Sequence, residues 1–387
     1  MILLVSLFGD IYTNNSRISN IFHYTSNLTI NVVTSDFNHG SKRYKECIDN
    51  INNHYLHVPA YKKNISIERI YSHIVFAYRL KKFLNSLQEI PTVIYCAMPT
   101  STAAYVCGKY CKKHGVKFVI DVIDLWPDSL RPIVAGIKNR LLNLFIFPWK
   151  YITIQSYKMA DVILGESKKY VNEAAFYNHR APIYPLYLGV DKKGVKKLVA
   201  ESKLTLNKSN EERWIGYAGS LGMSYDFESL IKGVAVLNGK YQYKLFFIGD
   251  GVCRAKVENL INQYSVNAEI TGFLKYGDLL KYLSYCDIAV NIFRDKTKVV
   301  HSYKFNDYVA TNCFILNSLL GETADMVDRY KVGLNFDFKD NTFDKVLLLC
   351  LEFWDEYREW KLNNERLVDE LLDKEAIYSQ IETILSK

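Results

Sequence analysis

The sequence predicts an α/β protein with two domains, each built from helices packed on a parallel sheet. With 387 residues, the chain is longer than one hydrophobic core usually supports. Apolar runs of strand length recur, and each is followed by a glycine or polar turn and then an amphipathic helix, as in parallel sheets. This pattern stops in a polar, Lys-rich stretch and restarts at Trp214. We therefore expect an N-terminal domain at 1–190, a linker at 191–212, a second domain at 213–351 and a helical tail at 352–387.

The composition limits the kinds of ligand and macromolecule that we expect the protein to bind. The net charge of +8 and the pI of about 8.8 suit anionic partners such as nucleotide phosphates, lipid pyrophosphates or an anionic membrane face. No zinc-knuckle spacing, RRM signature or compact Arg-rich run is present, which argues against nucleic acid. The eight cysteines include no C-x-x-C pair, which is typical of a reducing cytoplasm. No signal peptide is recognisable, and no run of about 18 apolar residues would span a bilayer.

The first half begins with a buried strand from Ile2 to Phe8, followed by Gly9. A glycine there would permit close approach of a ligand, or would simply allow the turn. A second strand, Leu28 to Thr34, leads into the polar, basic loop at 35–45. That loop is either a site for acceptor phosphates or a solvated connection.

Two later features of the first half bear on function. The strand from Lys117 to Val122 ends just before Asp124, which would serve either a binding site or a structural turn. The stretch 138–157 is basic and aromatic, with Pro148 inside it. It fits either contact with a membrane interface or packing between domains.

The second half carries two glycine-bearing turns after strands. Gly219 and Ser220 form the first, and Gly249 and Gly251 the second. A strand, a glycine turn and a helix together make a common phosphate-binding arrangement. A further strand region at 269–274 includes Phe273.

The central stretch is Val299 to Asp328. It predicts a short amphipathic helix with Lys304 and Asp307, a buried strand from Cys313 to Asn317 and a second helix start at 318–325. Two helix N-termini beside one strand would surround a single crevice, which is how α/β proteins bind phosphates.

The amino-acid sequence of this stretch resembles a segment found in a known protein family. Lys304, Phe305, Asn306, Asp307 and Tyr308, followed by small residues at 309–311, resemble the nucleotide-sugar segment of retaining bacterial glycosyltransferases of family 4. The phrases at 124–127 and 187–191 resemble that family too, and the similarity extends over nearly the whole chain. The resemblance is to members that build O-antigen and capsular polysaccharide. It implies the GT-B fold, in which two Rossmann-like domains face each other across a crevice and the tail returns to the first domain.

The resemblance also implies site residues. Asp124 and Lys304 are the expected catalytic residues, and the others expected to contact the donor nucleotide sugar are Gly9, Gly219, Ser220, Gly249, Gly251, Phe273, Lys304, Asp307 and Asp325. In the family, the acidic residue matched by Asp307 grips the ribose hydroxyls. Asp325 matches an acidic position near the sugar hydroxyls, with Glu322 as the competing choice. The chain departs from the family at Val299, where a Glu is usual, and at Ser220, where an Arg is usual.

The implied function is hexosyl transfer with retention, from a nucleotide sugar to a lipid-pyrophosphate-linked glycan in surface polysaccharide synthesis. UDP is the expected nucleotide, and the location is the cytoplasm, with peripheral contact to the inner face of the membrane. Because no Asp-x-Asp pair is present, we expect neither a metal nor another cofactor. A GT-B nucleotide-sugar epimerase is one alternative, and it would turn over donor without acceptor. The other is a degenerate, non-catalytic subunit, which the departures at Val299 and Ser220 support.

Overall fold

The computed structural model of the chain describes residues 1–12, 16–25, 27–46, 52–64, 66–128, 139–295, 297, 299, 301–340, 342–357 and 359–386. The side chains of residues 139–145 and 357 also lie outside the description. Of the stretch 138–157 discussed above, Lys138 falls outside these ranges. The chain divides into two compact units, one of Met1–Tyr187 with Glu375–Lys387 and one of Leu188–Lys374.

The first unit is organised around a parallel sheet. Its strands are β1 (Ile2–Val5), β2 (Ile30–Ser35), β5 (Asn53–Leu56), β6 (Val93–Met98), β7 (Lys117–Val122), β8 (Val162–Gly165) and β9 (Ile183–Pro185), in the order β5-β2-β1-β6-β7-β8-β9. A small hairpin, β3 (Phe37–Asn38) with β4 (Arg43–Tyr44), follows β2. The helices are α1 (Arg17–Tyr24), α2 (Ile67–Ser86), α3 (Ser101–His114), α4 (Asn139–Met159) and α5 (Lys168–Ala175).

The second unit repeats this plan. Its strands are β10 (Arg213–Ala218), β11 (Tyr243–Ile248), β12 (Ala268–Ile270), β13 (Ile288–Asn291), β14 (Phe314–Asn317) and β15 (Gly333–Asn335), in the order β12-β11-β10-β13-β14-β15. Its helices are α6 (Lys192–Glu201), α7 (Phe227–Ala235), α8 (Arg254–Tyr264), α9 (Tyr276–Tyr285), α10 (Tyr303–Ala310), α11 (Glu322–Tyr330), α12 (Phe343–Glu352) and α13 (Trp360–Leu367). A 3-10 turn at Trp354–Tyr357 and a π-helical turn at Val368–Leu372 complete it. The α/β fold class predicted from the sequence is confirmed.

Apolar strands give each sheet its buried interior. Leu3, Leu4 and Val5 of β1 have no exposed surface, and neither do Ile215 and Tyr217 of β10. Strands covered on both faces need apolar residues at consecutive positions, which explains the unbroken runs in the sequence. The first strand is shorter than the predicted Ile2 to Phe8, because Ser6 Oγ accepts a hydrogen bond from the Gly9 N–H at 3.2 Å and starts a turn.

The structure sets the boundaries of the units differently from the sequence. The stretch 191–212, expected as a linker, contains α6, which begins where Asp191 Oδ1 accepts the Gly194 N–H at 2.8 Å. Val195 of α6 is buried, so this helix is part of the second unit.

Only the end of the expected tail at 352–387 belongs with the first unit. The last helix, α14 (Lys374–Ser386), packs there, whereas α13 and the π-helical turn belong to the second unit. The Val190 N–H donates to Leu372 O at 2.7 Å, and the Lys374 N–H donates to Val190 O at 3.2 Å. These hydrogen bonds join residues near the start and the end of the second unit.

Candidate functional site

Three asparagines form a ladder across the carboxyl ends of β13, β14 and β15. Asn291, Asn317 and Asn335 are in register, and each amide donates to the next side-chain oxygen, at 2.8 and 2.7 Å. Ser302 Oγ donates to Asn291 Oδ1 at 3.1 Å, and Asn317 Oδ1 accepts the Leu319 N–H at 3.1 Å. The ladder thus holds the starts of the two segments that lead into α10 and α11 at one edge of the sheet.

Helix α10 is fixed by its cap and by one tyrosine. Ser302 caps its N-terminus, and Phe305 is fully buried. The Tyr308 hydroxyl accepts the Ala218 N–H at 3.0 Å and donates to Val290 O at 3.2 Å. Because one hydroxyl binds the ends of β10 and β13 together, the helix has a defined position over the carboxyl edge.

Lys304 of α10 points into a group of aromatic rings at this edge. Its Nζ donates to the Tyr217 hydroxyl at 2.6 Å. The same atom lies 3.5 Å from the ring centroid of Tyr225, 4.0 Å from that of Tyr217 and 5.6 Å from that of Phe293. Such ring faces attract a cation, which offsets part of the cost of removing it from water.

The charge of Lys304 has no acidic counterpart in the described part of the chain. Lys304 is buried, and none of its described contacts is with a carboxylate. Burial lowers the pKa of its ammonium group well below the ordinary value of 10.5. A bound anion at this position would restore the charged form, so the arrangement favours an anionic ligand.

The two glycine-bearing turns meet beside Lys304. Gly219 has a φ of +114° and Gly249 one of +150°, and a Cβ on Gly249 would collide with the Gly219 carbonyl. A Cβ on Gly251 would lie 2.6 Å from Leu221 O. These glycines let the two turns pack together. A Cβ on Gly219 would also lie 3.3 Å from Lys304 Cε, which places the first turn directly against the lysine.

Asp307, three residues after Lys304, contacts a different element. Its Oδ1 accepts the Tyr276 hydroxyl of α9 at 2.7 Å. Burial raises the pKa of the Asp307 carboxyl to about 6, although the Tyr276 hydrogen bond lowers it in part. The carboxyl is therefore ionised only above mildly acidic pH.

The remaining predicted residues of the second unit lie at the surface. Ser220 and Asp325 are exposed, and Phe273 is 80% exposed. Of the two acidic candidates in the first turn of α11, Glu322 is only partly exposed. Its charge counteracts the burial that lowers the pKa of His301 to about 4. Glu322 thus lies close enough to the segment that leads into α10 to act on His301.

Gly9 and Asp124 belong to the first unit and follow the carboxyl ends of β1 and β7. A Cβ on Gly9 would meet Ile18 Cγ1 at 3.4 Å, an ordinary contact, so the local structure does not itself require glycine. Asp124 is half-buried and close enough to Arg69 to counteract the effect of burial, which lowers the pKa of that guanidinium.

Sequence reasoning missed a buried ion pair in the first unit. Arg17 binds Asp121 through two hydrogen bonds, Nε to Oδ2 at 2.6 Å and Nη2 to Oδ1 at 3.2 Å, and Tyr95 donates to Oδ2 at 2.6 Å. An acidic residue in an otherwise apolar strand was the available signal. The partner lies 104 residues away in the chain, and no local pattern identifies it.

Solved structures share this architecture. Sucrose-phosphate synthase from Thermosynechococcus elongatus has a TM-score of 0.73 at 14% identity, over 100% of this chain and 98% of that one. HepE from Anabaena, solved with UDP, has a TM-score of 0.66 at 12% identity, over 100% and 99%. WaaG, a glycosyltransferase involved in lipopolysaccharide biosynthesis, has a TM-score of 0.64 at 13% identity, over 100% of both chains.

No family model and no curated protein sequence matches the chain. At identities of this size, the solved structures establish the fold and nothing finer. The chain has the GT-B fold, with one Rossmann-like sheet in each unit.

Proposed function

We propose that the protein is a glycosyltransferase that moves a sugar, with retention, from a UDP-linked donor to a lipid-pyrophosphate-linked glycan. The observation that carries the proposal is Lys304, a buried cation without a carboxylate partner in the described residues, set against the Gly219 turn. The role would lie in the synthesis of a surface polysaccharide such as O-antigen or capsule, as the sequence resemblance implies.

The chemistry follows from the charge that develops during transfer. The departing nucleoside diphosphate gains negative charge, and a fixed cation with nearby backbone N–H groups stabilises it. Lys304 and the turns at Gly219 and Gly249 would supply these groups. The Asp307 carboxylate would accept hydrogen bonds from the ribose hydroxyls. In the first unit, Asp124 would act on the acceptor side.

The similar structures support the choice of nucleotide. HepE was solved with UDP and, separately, with UDP-glucose. Residues 304–308, which resemble the nucleotide-sugar segment of the family, lie on α10. UDP is therefore the nucleotide to test first.

A binding panel tests the donor site. Purified protein is mixed with UDP- and GDP-sugars, and unfolding is followed by thermal shift. A ligand at one hundred times its Kd should stabilise the protein by about 2.7 kcal/mol. We expect one UDP-sugar to shift the wild type and to lose this effect in Asp307→Ala. If no nucleotide sugar shifts the wild type, the proposal fails.

Two finer parts of the proposal have their own measurements. Retention predicts that the anomeric configuration of the product, read by NMR, matches that of the donor. Metal independence predicts that turnover persists after treatment with EDTA. A product with inverted configuration would contradict retention, and a rate that falls with EDTA would contradict metal independence.

We also propose peripheral contact with an anionic membrane, through the first unit. No helix in the described ranges has the length and apolar character needed to cross a bilayer. Helix α2 nevertheless exposes five apolar side chains along one face: Ile67, Ile70, Tyr71, Ile74 and Tyr78. Lys81 and Lys82 follow, and Phe147 and Tyr151 of α4 are also exposed. An apolar face that ends in lysines is typical of helices that lie in an anionic interface.

Vesicle sedimentation tests this surface. Ile74→Glu should weaken binding to phosphatidylglycerol vesicles by about tenfold, because it puts a charge in place of an exposed apolar group that would enter the membrane interface. Leu349→Glu, a matched change at an exposed leucine of the second unit, should have no effect. Equal effects of the two changes would contradict the assignment to α2.

A further inference from the structure

Two cations of the first unit, Lys42 and Arg69, are held close together by hydrogen bonds to one asparagine. Lys42 Nζ donates to Asn64 Oδ1 at 2.5 Å and lies 3.4 Å from His39 Nδ1. Arg69 Nη1 donates to the Asn64 carbonyl at 2.7 Å, and its Nε donates to His73 Nε2 at 3.4 Å. Asn64 thus joins the two cations, and neither forms an ion pair within the described residues.

Two other basic groups nearby, Lys45 and His57, do have acidic partners. Lys45 pairs with Asp10 at 2.8 Å, and His57 lies 2.6 Å from Asp36. These two pairs account for part of the basic loop that the sequence indicated. Lys42 remains without an ion-pair partner among the described residues, and Arg69 of α2 lies beside it.

The electrostatics show that this arrangement opposes its own charge. Burial lowers the pKa of Lys42, and the Arg69 charge lowers it further. Burial, Arg69 and Lys42, in that order, lower the pKa of His39 to about 4, so this ring is neutral at pH 7. Burial also lowers the pKa of Arg69, which Tyr61 and Asp124 counteract in part. The Arg69 charge therefore opposes the charge of Lys42, and a bound anion would relieve this repulsion.

Aromatic rings hold the cations in position. The Arg69 guanidinium lies 5.6 Å from the Phe8 ring centroid and 5.9 Å from that of Trp126, and Lys42 Nζ lies 4.8 Å from the Tyr61 ring. A guanidinium carries five N–H donors, and the described hydrogen bonds of Arg69 leave its Nη2 donors unused. Unused donors on a fixed planar group suit the oxygens of a phosphoryl group.

The position in the fold agrees with ligand binding. Phe8 follows β1, His39 and Lys42 follow β2, and Trp126 follows β7. Phe8 and Trp126 thus lie beyond the carboxyl ends of parallel strands, and His39 and Lys42 lie in the turn of the β3–β4 hairpin that follows β2. The carboxyl ends form the edge where sheets of this kind bind ligands.

We propose that Lys42 and Arg69 bind a phosphoryl group of the acceptor in the first unit. This rests on the proposed transferase function for the identity of the acceptor, although phosphoryl binding itself does not depend on it. The site would recognise either a lipid pyrophosphate or a sugar phosphate, since the shared chemistry is the phosphoryl group.

Inorganic pyrophosphate is the first probe, measured by calorimetry on the full chain. The Lys304→Met variant serves as the background, because it removes anion binding in the second unit. We expect this background protein to bind pyrophosphate, and Arg69→Gln or Lys42→Gln to weaken that binding by about tenfold. Lys42 lies on a partly exposed loop, so its variant keeps the test valid if Arg69→Gln fails to fold.

Arg43→Gln is the matched control, since Arg43 is exposed on the same loop and the change in net charge is the same. It should leave pyrophosphate binding unchanged. No binding to the background protein, or equal losses in the Arg43, Lys42 and Arg69 variants, would overturn the proposal, because only bulk charge would then be at work.

A second measurement separates the two sources of the phosphoryl group. Arg69-dependent binding to vesicles with a polyprenyl pyrophosphate that exceeds binding to a hexose phosphate would assign the lipid, and the reverse would assign the sugar phosphate. If UDP does not bind the wild type but pyrophosphate binding still requires Arg69, the donor function fails and this site stands.

Discussion

The two units each bury a cation, and they compensate it in opposite ways. Arg17 of the first unit has its partner within the chain, since it donates two hydrogen bonds to Asp121, which also accepts one from the Tyr95 hydroxyl. Lys304 of the second unit has only a hydroxyl and three ring faces. Arg17 thus carries a buried charge that serves the fold, whereas we propose that the buried charge of Lys304 binds a ligand. The first should govern stability, and the second should govern binding.

Asp121→Asn should have the largest effect and should act on stability. It leaves the Arg17 charge buried without its counterion, which costs about 3–5 kcal/mol in comparable pairs. Denaturant unfolding measures the loss, and UDP affinity of the protein that remains folded should be unchanged. Asp128→Asn, which affects the partly exposed pair with Lys150, should cost less than about 1 kcal/mol. If the two variants lose similar amounts of unfolding free energy, the structural role assigned to Arg17 is wrong.

Lys304→Met should have the next largest effect and should act on binding. Loss of a charged contact to the diphosphate should weaken UDP binding by about a hundredfold, equivalent to about 2.7 kcal/mol. The melting temperature should not fall, because methionine fits among aromatic rings without a charge to desolvate. Calorimetry and thermal unfolding give the two values. Lys240→Met, at an exposed site, is the control, and a large drop in melting temperature for Lys304→Met would contradict the comparison.

Asp307→Asn should also affect UDP affinity and stability differently, with smaller changes than Lys304→Met. The amide oxygen still accepts the Tyr276 hydroxyl, but it is a weaker acceptor for ribose hydroxyls, so UDP affinity should fall about tenfold. Stability should rise at pH 7.5, because the raised pKa means that burial disfavours the ionised carboxyl that the variant removes. Calorimetry and melting curves test both signs.

The pH dependence is the control for this variant. Asp307 in the folded protein takes up its proton near pH 6, above its ordinary value of 3.8. The wild type should therefore lose UDP affinity as the pH falls through 6, while the destabilising effect of the charge fades toward pH 3.8. Asp307→Asn should lack this loss of affinity. The same pH profile in both proteins would assign the titration to another group.

Ser220→Arg should have the smallest effect, and it acts in the opposite direction. Ser220 is exposed beside Gly219, where relatives carry an arginine according to the sequence resemblance. An added guanidinium should tighten UDP binding about threefold, since an exposed charge contributes less than a buried one. Unchanged or weaker affinity by calorimetry would mean that the Gly219 turn does not approach the diphosphate.

Sequence patterns predicted the elements better than the partners. The period of buried residues places Lys304 and Asp307 on one short helix, as the structure has them. The same pattern gives no information about what each side chain meets. Lys304 turned toward β10 and Asp307 toward α9, and these contacts depend on how distant segments pack.

Two sets of residues could not be predicted from sequence patterns, for reasons that the structure identifies. Arg69 begins an ordinary amphipathic helix, and its companion Lys42 lies 27 positions earlier on a loop, so no spacing rule connects them. The asparagines at 291, 317 and 335 look like common turn residues one at a time. Only the pairing of β13, β14 and β15 shows that they form a single ladder.

The last helix determines the order in which the chain can finish folding. Tyr378 of α14 is fully buried, 3.3 Å from Asn20 Nδ2 and 3.4 Å from Arg17 Nη1, and Lys117 Nζ donates to Ile384 O at 2.5 Å. During synthesis, residues 188–374 leave the ribosome before this helix exists. Because domains generally fold as units while they emerge, the second unit can be complete while the first, although translated earlier, still lacks a part of its core. A premature stop within residues 375–387 would consequently damage the part of the protein made first.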